Sequence, residues 1–169
     1  MKKFRFLPPY QKKGKTTYPE TLNKSGVYLI KENNVLVYVG MSGINLYRTL
    51  YRHFQAWHHK QQEVITYQSR LNTNKYTVRV ILCTHAQAVR LERYLILKNQ
   101  PRDNDMKYQD YKLNVWDQSV YETYEKTPVT EEAPFKKKRY VKSYQINDQK
   151  SPCSQFCKGE YSEDHQAPH

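Results

Sequence analysis

The stretch SGVYLIKENNVLVYVG, residues 25–40, decides how this chain folds. Two runs rich in Val, Ile, Leu and Tyr flank the polar segment 31–34, which predicts a β-hairpin with its turn near two asparagines. The first run opens with the triplet Gly26-Val27-Tyr28, and the second closes with Tyr38-Val39-Gly40. Such a hairpin is either a purely structural element or the wall of an active site.

The register of this hairpin determines how Tyr28 and Tyr38 lie relative to each other. A two-residue loop of Asn33 and Asn34 places the tyrosines on opposite faces of the sheet. A three-residue loop that also includes Glu32 places them opposite one another on the same face. The sequence leaves both registers open.

The residues after the hairpin predict a helix and then a second hairpin. From Asn45, a suitable N-cap, apolar residues recur at helical spacing up to residue 60. Residues 63–83 place β-favouring runs on both sides of the polar segment 72–75, which is typical of a hairpin.

A second helix completes the predicted fold. Thr84 and Gln87 have the spacing of a capping box, and Pro101 should end the helix that they begin. The resulting ββαββα order predicts an α/β fold, a small mixed sheet of about three to four strands flanked by helices.

Charge is distributed unevenly along the 169 residues. The formal net charge is +12, and residues 1–118 hold 20 Lys and Arg against 8 Asp and Glu, whereas residues 119–169 hold 8 of each. This excess favours polyanionic partners such as nucleic acid. We therefore expect a basic N-terminal arm at 1–24, a folded domain at 25–118 and a disordered polar tail at 119–169.

Other features of the composition argue for a soluble, cytoplasmic protein without a membrane partner. No stretch approaches the ~20 apolar residues of a membrane span, and the N-terminus has no signal-peptide pattern. Three cysteines are too few for a disulfide framework, which fits a reducing compartment. In the tail, the spacing of Cys153, Cys157, His165 and His169 suits a loose segment better than a zinc site, and the basic run 136–139 is either a phosphate-binding patch or a solvated surface.

An acidic residue interrupts the apolar stripe of the helix that begins at Thr84. Glu92 falls among Ala88, Leu91 and Leu95, so its carboxylate should point inward. Burying a carboxylate is costly unless it is paired or coordinated. Glu92 is therefore either half of a structural ion pair or a ligand for a hard divalent cation.

The helix from Asn45 carries candidate cationic groups. Stepping about 100° per residue places His53 at the edge of the apolar stripe, with Arg48 and Arg52 on the polar side. Arg52 lies nearer to His53 than Arg48 does, so Arg52 shares a pocket with the histidine more easily.

Together these residues resemble the GIY-YIG nuclease superfamily. The triplets at 26–28 and 38–40 match its two defining motifs, and an arginine, His53, Glu92 and Asn104 follow in the family's order. The resemblance covers roughly residues 25–105 and implies metal-dependent hydrolysis of phosphodiester bonds.

The resemblance also implies a role for each residue. Tyr28 would act as general base, Tyr38 would position water or phosphate, and an arginine, Arg52 before Arg48, would stabilise the charge on the phosphorane. His53 would shuttle a proton or orient the phosphate, and Glu92 with waters would hold Mg²⁺, with Mn²⁺ as the alternative metal. The remaining expected residues are Asn104, Gly26 and Gly40, which would brace the site, and His59 and Arg102, which would contact nucleic acid.

The function that we expect is therefore a metal-dependent endonuclease acting on DNA. Two alternatives stay open. One is a nucleic-acid-binding module that kept the fold but lost catalysis, and the other is an RNA-directed nuclease, because a basic surface with stacking aromatics does not distinguish the sugar.

Overall fold

In the computed structural model, which describes residues 1–56, 65–104 and 107–131, a five-stranded sheet is flanked by three helices. This arrangement confirms the predicted α/β class. The chain divides into two compact units, Met1–Lys137 and Lys138–His169, of which the second lies outside the described residues. The elements are β1 (Lys2–Phe4), β2 (Gly26–Glu32), β3 (Val35–Ser42), α1 (Leu46–Arg52), β4 (Tyr76–Leu82), α2 (His85–Asn99), α3 (Val115–Lys126) and β5 (Val129–Thr130).

The sheet has the strand order β3-β2-β4-β1-β5. Strands β2, β3 and β4 are the long ones and pair antiparallel with β2 in the middle, whereas β1 and β5 are short and pair in parallel. The sheet thus exceeds the expected three to four strands because both ends of the folded region add short strands beyond β4. Strand β3 is left at one edge.

The predicted hairpin of β2 and β3 is present, and a β-bulge sets its register. Asn33 and Asn34 form the turn, with φ of 49° and 69° in the left-handed region that this residue type tolerates. The pairing then shifts between Ile30 and Lys31, so that one residue of β3, Val37, has no partner.

This bulge decides where the two tyrosines lie. Beyond it, Tyr28 pairs with Gly40 and Tyr38 pairs with Ile30. The two tyrosines are therefore diagonal neighbours on the same face, although the loop has only two residues. Neither register considered from the sequence alone included the bulge.

Helices cover both faces of the sheet. On one face, α1 packs in a cluster that includes Tyr28, Ile30 and Val80, and Asn45 caps the helix by accepting a hydrogen bond from the Arg48 backbone. On the other face, α2 and α3 pack against residues such as Val27, Leu29, Val39 and Ile81.

Helix α2 begins and ends as predicted. Thr84 and Gln87 form the capping box, and Gln100 ends the helix in the left-handed conformation, one residue before Pro101.

The predicted second hairpin is wrong in its first half. Within the described residues 65–75 there is no strand, and Gln68–Arg70 form a single 3-10 turn. Among the described residues of this segment β4 is the strand that forms, so the elements described from β2 to α2 have the order ββαβα. The β-favouring residues here serve packing instead, since Tyr67 is fully buried in the cluster beneath α1.

The expected disordered tail is wrong for its first part. Residues 119–126 belong to α3, which Asn114 and Asp117 cap, and residues 129–130 form β5 beside β1. Tyr124 of α3 is buried against α2. The basic run 136–139 and the tail cysteines and histidines lie outside the described residues.

The basic arm at 1–24 belongs to the folded unit. It supplies β1 and adds a bridge between Leu7 and Val78, and Tyr18 is buried. No helix of the described ranges is long and apolar enough to cross a membrane.

Candidate active site

Tyr28 and His53 form a buried hydrogen-bonded pair at the junction of β2 and α1. The Tyr28 hydroxyl lies 2.8 Å from Nε2 of His53, and the side chains are 1% and 5% exposed. On the other side of the ring, Nδ1 lies 2.7 Å from the carbonyl oxygen of Ile65, which can only accept. Nδ1 therefore carries the hydrogen of the neutral imidazole, and Nε2 accepts the hydrogen bond from Tyr28.

The environment keeps both members of this pair neutral near pH 7. Burial is the largest cause that raises the pKa of Tyr28 well above its usual range, and the neighbouring Tyr38 and Glu92 add to the shift. Burial, together with the charge of Arg52, lowers the pKa of His53 to about 4 although the Ile65 carbonyl opposes this. The imidazole thus has a free acceptor nitrogen for the phenol.

Tyr38 completes an aromatic group around the imidazole. Its ring centre lies 6.1 Å from that of Tyr28, with the rings nearly parallel, and 4.5 Å from that of His53. Burial raises the pKa of Tyr38, and the ring is only partly buried. Tyr38 is therefore more open to solvent than Tyr28 and His53.

The glycines of both triplets are required by close approach. A Cβ atom at Gly40 would lie 2.5 Å from the ring and hydroxyl of Tyr28, and one at Gly26 would lie 2.1 Å from the carbonyl oxygen of Ile81. Any side chain at position 40 would displace the Tyr28 phenol.

Asn104 binds the backbone of the edge strand. Its amide accepts a hydrogen bond from the Val39 N–H at 2.7 Å and donates one to the Val39 carbonyl at 2.6 Å. Pro101 ends α2, and the 3-10 turn Arg102–Asn104 brings the amide to this position. Asn104 thus holds the triplet 38–40 in the way a neighbouring strand would.

Glu92 is buried, 4% exposed, and paired. Its two oxygens accept hydrogen bonds from the Lys107 ammonium at 3.0 Å and from the Tyr108 hydroxyl at 2.9 Å. The charge of Glu92 also contributes to the raised pKa values of Tyr28 and Tyr38, so the carboxylate lies within electrostatic reach of both phenols. Of the two alternatives that the sequence left open, the ion pair is present, and the role of Glu92 as a metal ligand stays a prediction.

Sequence reasoning missed Lys107 and Tyr108. They follow Glu92 by 15 and 16 residues in a segment without periodicity, and no spacing rule connects them to α2. Tyr108 has φ of 69°, a conformation that is unfavourable for tyrosine. In this conformation the Tyr108 hydroxyl donates its hydrogen bond to the Glu92 carboxylate.

A divalent metal would have one carboxylate ligand here. In the described part of the chain, no group of three or more His, Cys, Asp or Glu side chains is arranged to hold a metal. A single carboxylate such as that of Glu92 is compatible with Mg²⁺, which keeps several of its waters and is commonly held by one or two carboxylates. Because Lys107 contacts one oxygen, a metal on that oxygen must displace the ammonium.

The two candidate arginines differ in their surroundings. Arg52 is half-buried, and its charge lowers the pKa of His53. Arg48 is exposed one turn earlier in α1. The structure thus places Arg52, rather than Arg48, beside the imidazole.

The expected contact of Arg102 with nucleic acid stays a prediction, and its side chain is half exposed. Its guanidinium donates to Glu32 and Asp103, each at 2.8 Å, so it belongs to a structural ion-pair network. Burial alone would raise the pKa of Glu32. Hydrogen bonds from Tyr76, Asn74 and Arg102 outweigh this effect and lower the pKa to about 2. His59, the other residue expected to contact nucleic acid, lies outside the described residues.

Comparison with known proteins identifies a catalytic-domain family. The model of the GIY-YIG catalytic domain matches residues 24–109, which is about half of the chain. Neither a curated protein nor a solved structure matches significantly. The matched range contains both glycine triplets, α1, β4 and α2, and it ends just after Tyr108.

Proposed function

The chain belongs to the GIY-YIG family, a nuclease superfamily, and from this premise we propose that it is a metal-dependent endonuclease that hydrolyses phosphodiester bonds in DNA. The observation that carries the proposal is the convergence of Tyr28, Tyr38 and His53 on one face of the sheet, with Glu92 within electrostatic reach. A two-residue loop without the β-bulge would place the two phenols on opposite faces of the sheet.

Proton transfer follows the hydrogen bond between Tyr28 and His53. As water attacks phosphorus, the phenol oxygen of Tyr28 takes a proton from the water while its own proton moves to Nε2 of His53. The Ile65 carbonyl holds the ring in the tautomer that can accept it. Charging the buried imidazole is costly in the free protein, and the negative charge of a bound phosphate reduces that cost.

Arg52 and Tyr38 act on the phosphate. Arg52, next to His53 in the chain and half-buried, supplies a forked cation for the charge that develops in the transition state. Tyr38, partly open to solvent, donates a hydrogen bond that orients a phosphate oxygen or the attacking water.

Glu92 would hold the metal together with waters. When bound, such an ion would supply polarisation of the phosphoryl group and stabilisation of the leaving oxygen. Before that, Lys107 and Tyr108 keep the buried carboxylate paired. The Glu92 carboxylate is therefore already in place for a metal, but the Lys107 ammonium occupies one of its oxygens.

A plasmid assay tests this proposal. Supercoiled DNA is incubated with the protein and Mg²⁺, with and without chelator, alongside Glu92→Gln and Tyr28→Phe. We expect metal-dependent nicking or linearisation that each substitution lowers by at least about a hundredfold, as expected for loss of a general base or a metal ligand. Asn99→Ala, which removes only a hydrogen bond within α2, serves as the control that should retain activity. Full activity in Glu92→Gln would contradict the proposal.

The pairing of Glu92 with Lys107 favours a second candidate function, a nucleic-acid-binding module without catalysis. In such a protein the ion pair would be permanent, and DNA would bind equally well with chelator and with Mg²⁺, without cleavage. The same assay separates the two candidates, and matched RNA substrates test the choice of sugar.

A further inference from the structure

A short lysine-rich loop lies in the N-terminal arm, outside the range of the family match. Residues 11–15 read Gln-Lys-Lys-Gly-Lys, whereas the match begins at residue 24. All five residues are exposed. The loop therefore lies outside the matched domain.

The loop has a defined shape. Tyr10 and Thr16 form a β-bridge at its base, and the Gln11 N–H donates to the Lys15 carbonyl at 2.7 Å. Lys13 and Gly14 have φ of 71° and 69°, which turns the chain back within five residues. Three ammonium groups are thus presented on a folded turn.

The base of the loop is attached to the helix that carries the imidazole. The ring of Tyr10 lies 5.7 Å from that of Tyr51, and its hydroxyl donates to the carbonyl of Phe54, the residue after His53. The Tyr51 hydroxyl in turn donates to the Pro9 carbonyl at 2.8 Å. Since Tyr10 packs on the same cluster as Tyr28, the loop is on the active-site face of the sheet.

Charge around the loop is almost entirely positive. Residues 1–56 hold ten Lys and Arg against two acids, Glu20 and Glu32, and Glu32 is buried and paired with Arg70 and Arg102. Within the described ranges, no ion pair engages Lys12, Lys13 or Lys15. Exposed cations outside ion pairs suit a polyanion rather than a structural role.

We propose that the loop at residues 11–15 is a phosphate-contacting element that holds the nucleic-acid backbone beside the active site. This inference rests on the proposed function, because it concerns the substrate of that site. An extended chain spans at most about 3.6 Å per residue, so the Cα of Lys12 lies within about 7 Å of that of Tyr10. Duplex DNA carries one charge per ~1.7 Å of its axis, so a duplex bound at the site would present several phosphates to the face of the sheet that carries the loop.

Matched triple substitutions test the proposal. Lys12→Gln, Lys13→Gln and Lys15→Gln are combined in one variant. The control combines Lys98→Gln, Lys112→Gln and Lys126→Gln, three exposed lysines on or beside α2 and α3 that remove the same total charge. Binding of a fluorescent DNA duplex is measured by anisotropy with chelator present, over a range of salt concentrations.

The loop variant should bind at least about tenfold more weakly than the control near physiological salt, because three phosphate contacts are lost. The slope of log affinity against log salt should fall by up to about 3, roughly one for each lysine. Its unfolding temperature should match that of the control, since all three side chains are exposed. In cleavage assays KM should rise with kcat unchanged, as for loss of uniform binding.

Equal affinities and equal salt slopes for the two variants would overturn the proposal. If the wild type does not cleave DNA but the loop variant still binds DNA more weakly than the control, the two proposals separate. The hydrolase function would then be contradicted, and the DNA-binding role of the loop would stand. Failure of the wild type to bind DNA at any salt concentration would remove both.

Discussion

His53 has both ring nitrogens engaged, with a carbonyl at Nδ1 and a phenol at Nε2. The ring is neutral near pH 7, because burial together with the charge of Arg52 lowers the pKa of His53 to about 4. The unfolded chain has the ordinary histidine pKa of about 6.5, so it binds more protons than the folded protein between these values. The stability that the neutral ring contributes is therefore complete above pH 6.5 and is lost as the pH falls toward 4.

We predict a pH-dependent loss of stability that belongs to His53. Between pH 7.5 and 5 the free energy of unfolding should fall by about 2 kcal/mol more in the wild type than in His53→Gln. Urea unfolding at each pH measures the difference. Glu32, with a pKa of about 2, titrates below this window and does not interfere. Parallel pH profiles for the two proteins would contradict the prediction.

The Lys107 ammonium contacts the Glu92 oxygen that a metal would need. Lys107 is 45% exposed, so solvent weakens its ion pair with Glu92, and such pairs contribute at most about 1 kcal/mol. Removing the ammonium frees one carboxylate oxygen and leaves the buried charge without its partner.

We predict that Lys107→Met binds Mn²⁺ up to about fivefold more tightly than the wild type, because the competing cation is gone. Isothermal titration in the absence of DNA measures this. Tyr108→Phe, which keeps the ammonium, should show a smaller change, and Glu92→Gln should not bind. Weaker Mn²⁺ binding by Lys107→Met would show that the lysine does not compete with the metal.

At the scale of the elements, β3 is an edge strand whose backbone is held by one side chain. Asn104 satisfies both polar groups of Val39, and the register of the hairpin then fixes Tyr38 and Gly40 on either side. Leaving two buried backbone groups without partners costs more than losing one exposed hydrogen bond.

We therefore predict that Asn104→Ala destabilises the protein by about 2 kcal/mol and lowers cleavage. Hydrogen exchange should increase at Val39 more than at positions of β4. Asn99→Ala, which loses a hydrogen bond at the exposed end of α2, is the matched control and should change stability by less than about 0.5 kcal/mol. Equal effects of the two substitutions would argue against the bracing role.

At the scale of the whole molecule, the folded unit extends well past the range of the family match. Helix α3 buries Tyr124 against α2, Lys3 of β1 donates to the Tyr124 carbonyl at 2.8 Å, and β5 pairs with β1. Both ends of the unit thus meet on the side of the sheet away from β3.

Truncation tests this boundary. A chain ending at residue 118, where polar composition first suggested the domain ends, should lose about 3 kcal/mol or more of stability because α3 and its buried tyrosine are removed. A chain ending at residue 137, the end of the first compact unit, should keep its unfolding temperature within a few degrees. Equal stability of the 118-residue chain and the full chain would show that α3 does not support the fold.

The sequence by itself determined the first hairpin, the capping box and stop of α2, and the inward position of Glu92. These features depend on local rules: alternation, a cap three residues from its partner, and helical spacing. The glycine triplets could also be found from sequence, because the resemblance marks them even though the close approach that requires glycine appears only in three dimensions.

Only the tertiary structure decided the shared face of Tyr28 and Tyr38 and the pairing of Glu92 with Lys107. A bulge that leaves Val37 unpaired shifts a register by one residue without changing the polarity pattern, so the sequence carries no signal for it. The missing strand before β4 and the ordered α3 have the same origin, since burial against distant residues outweighs local propensity and composition.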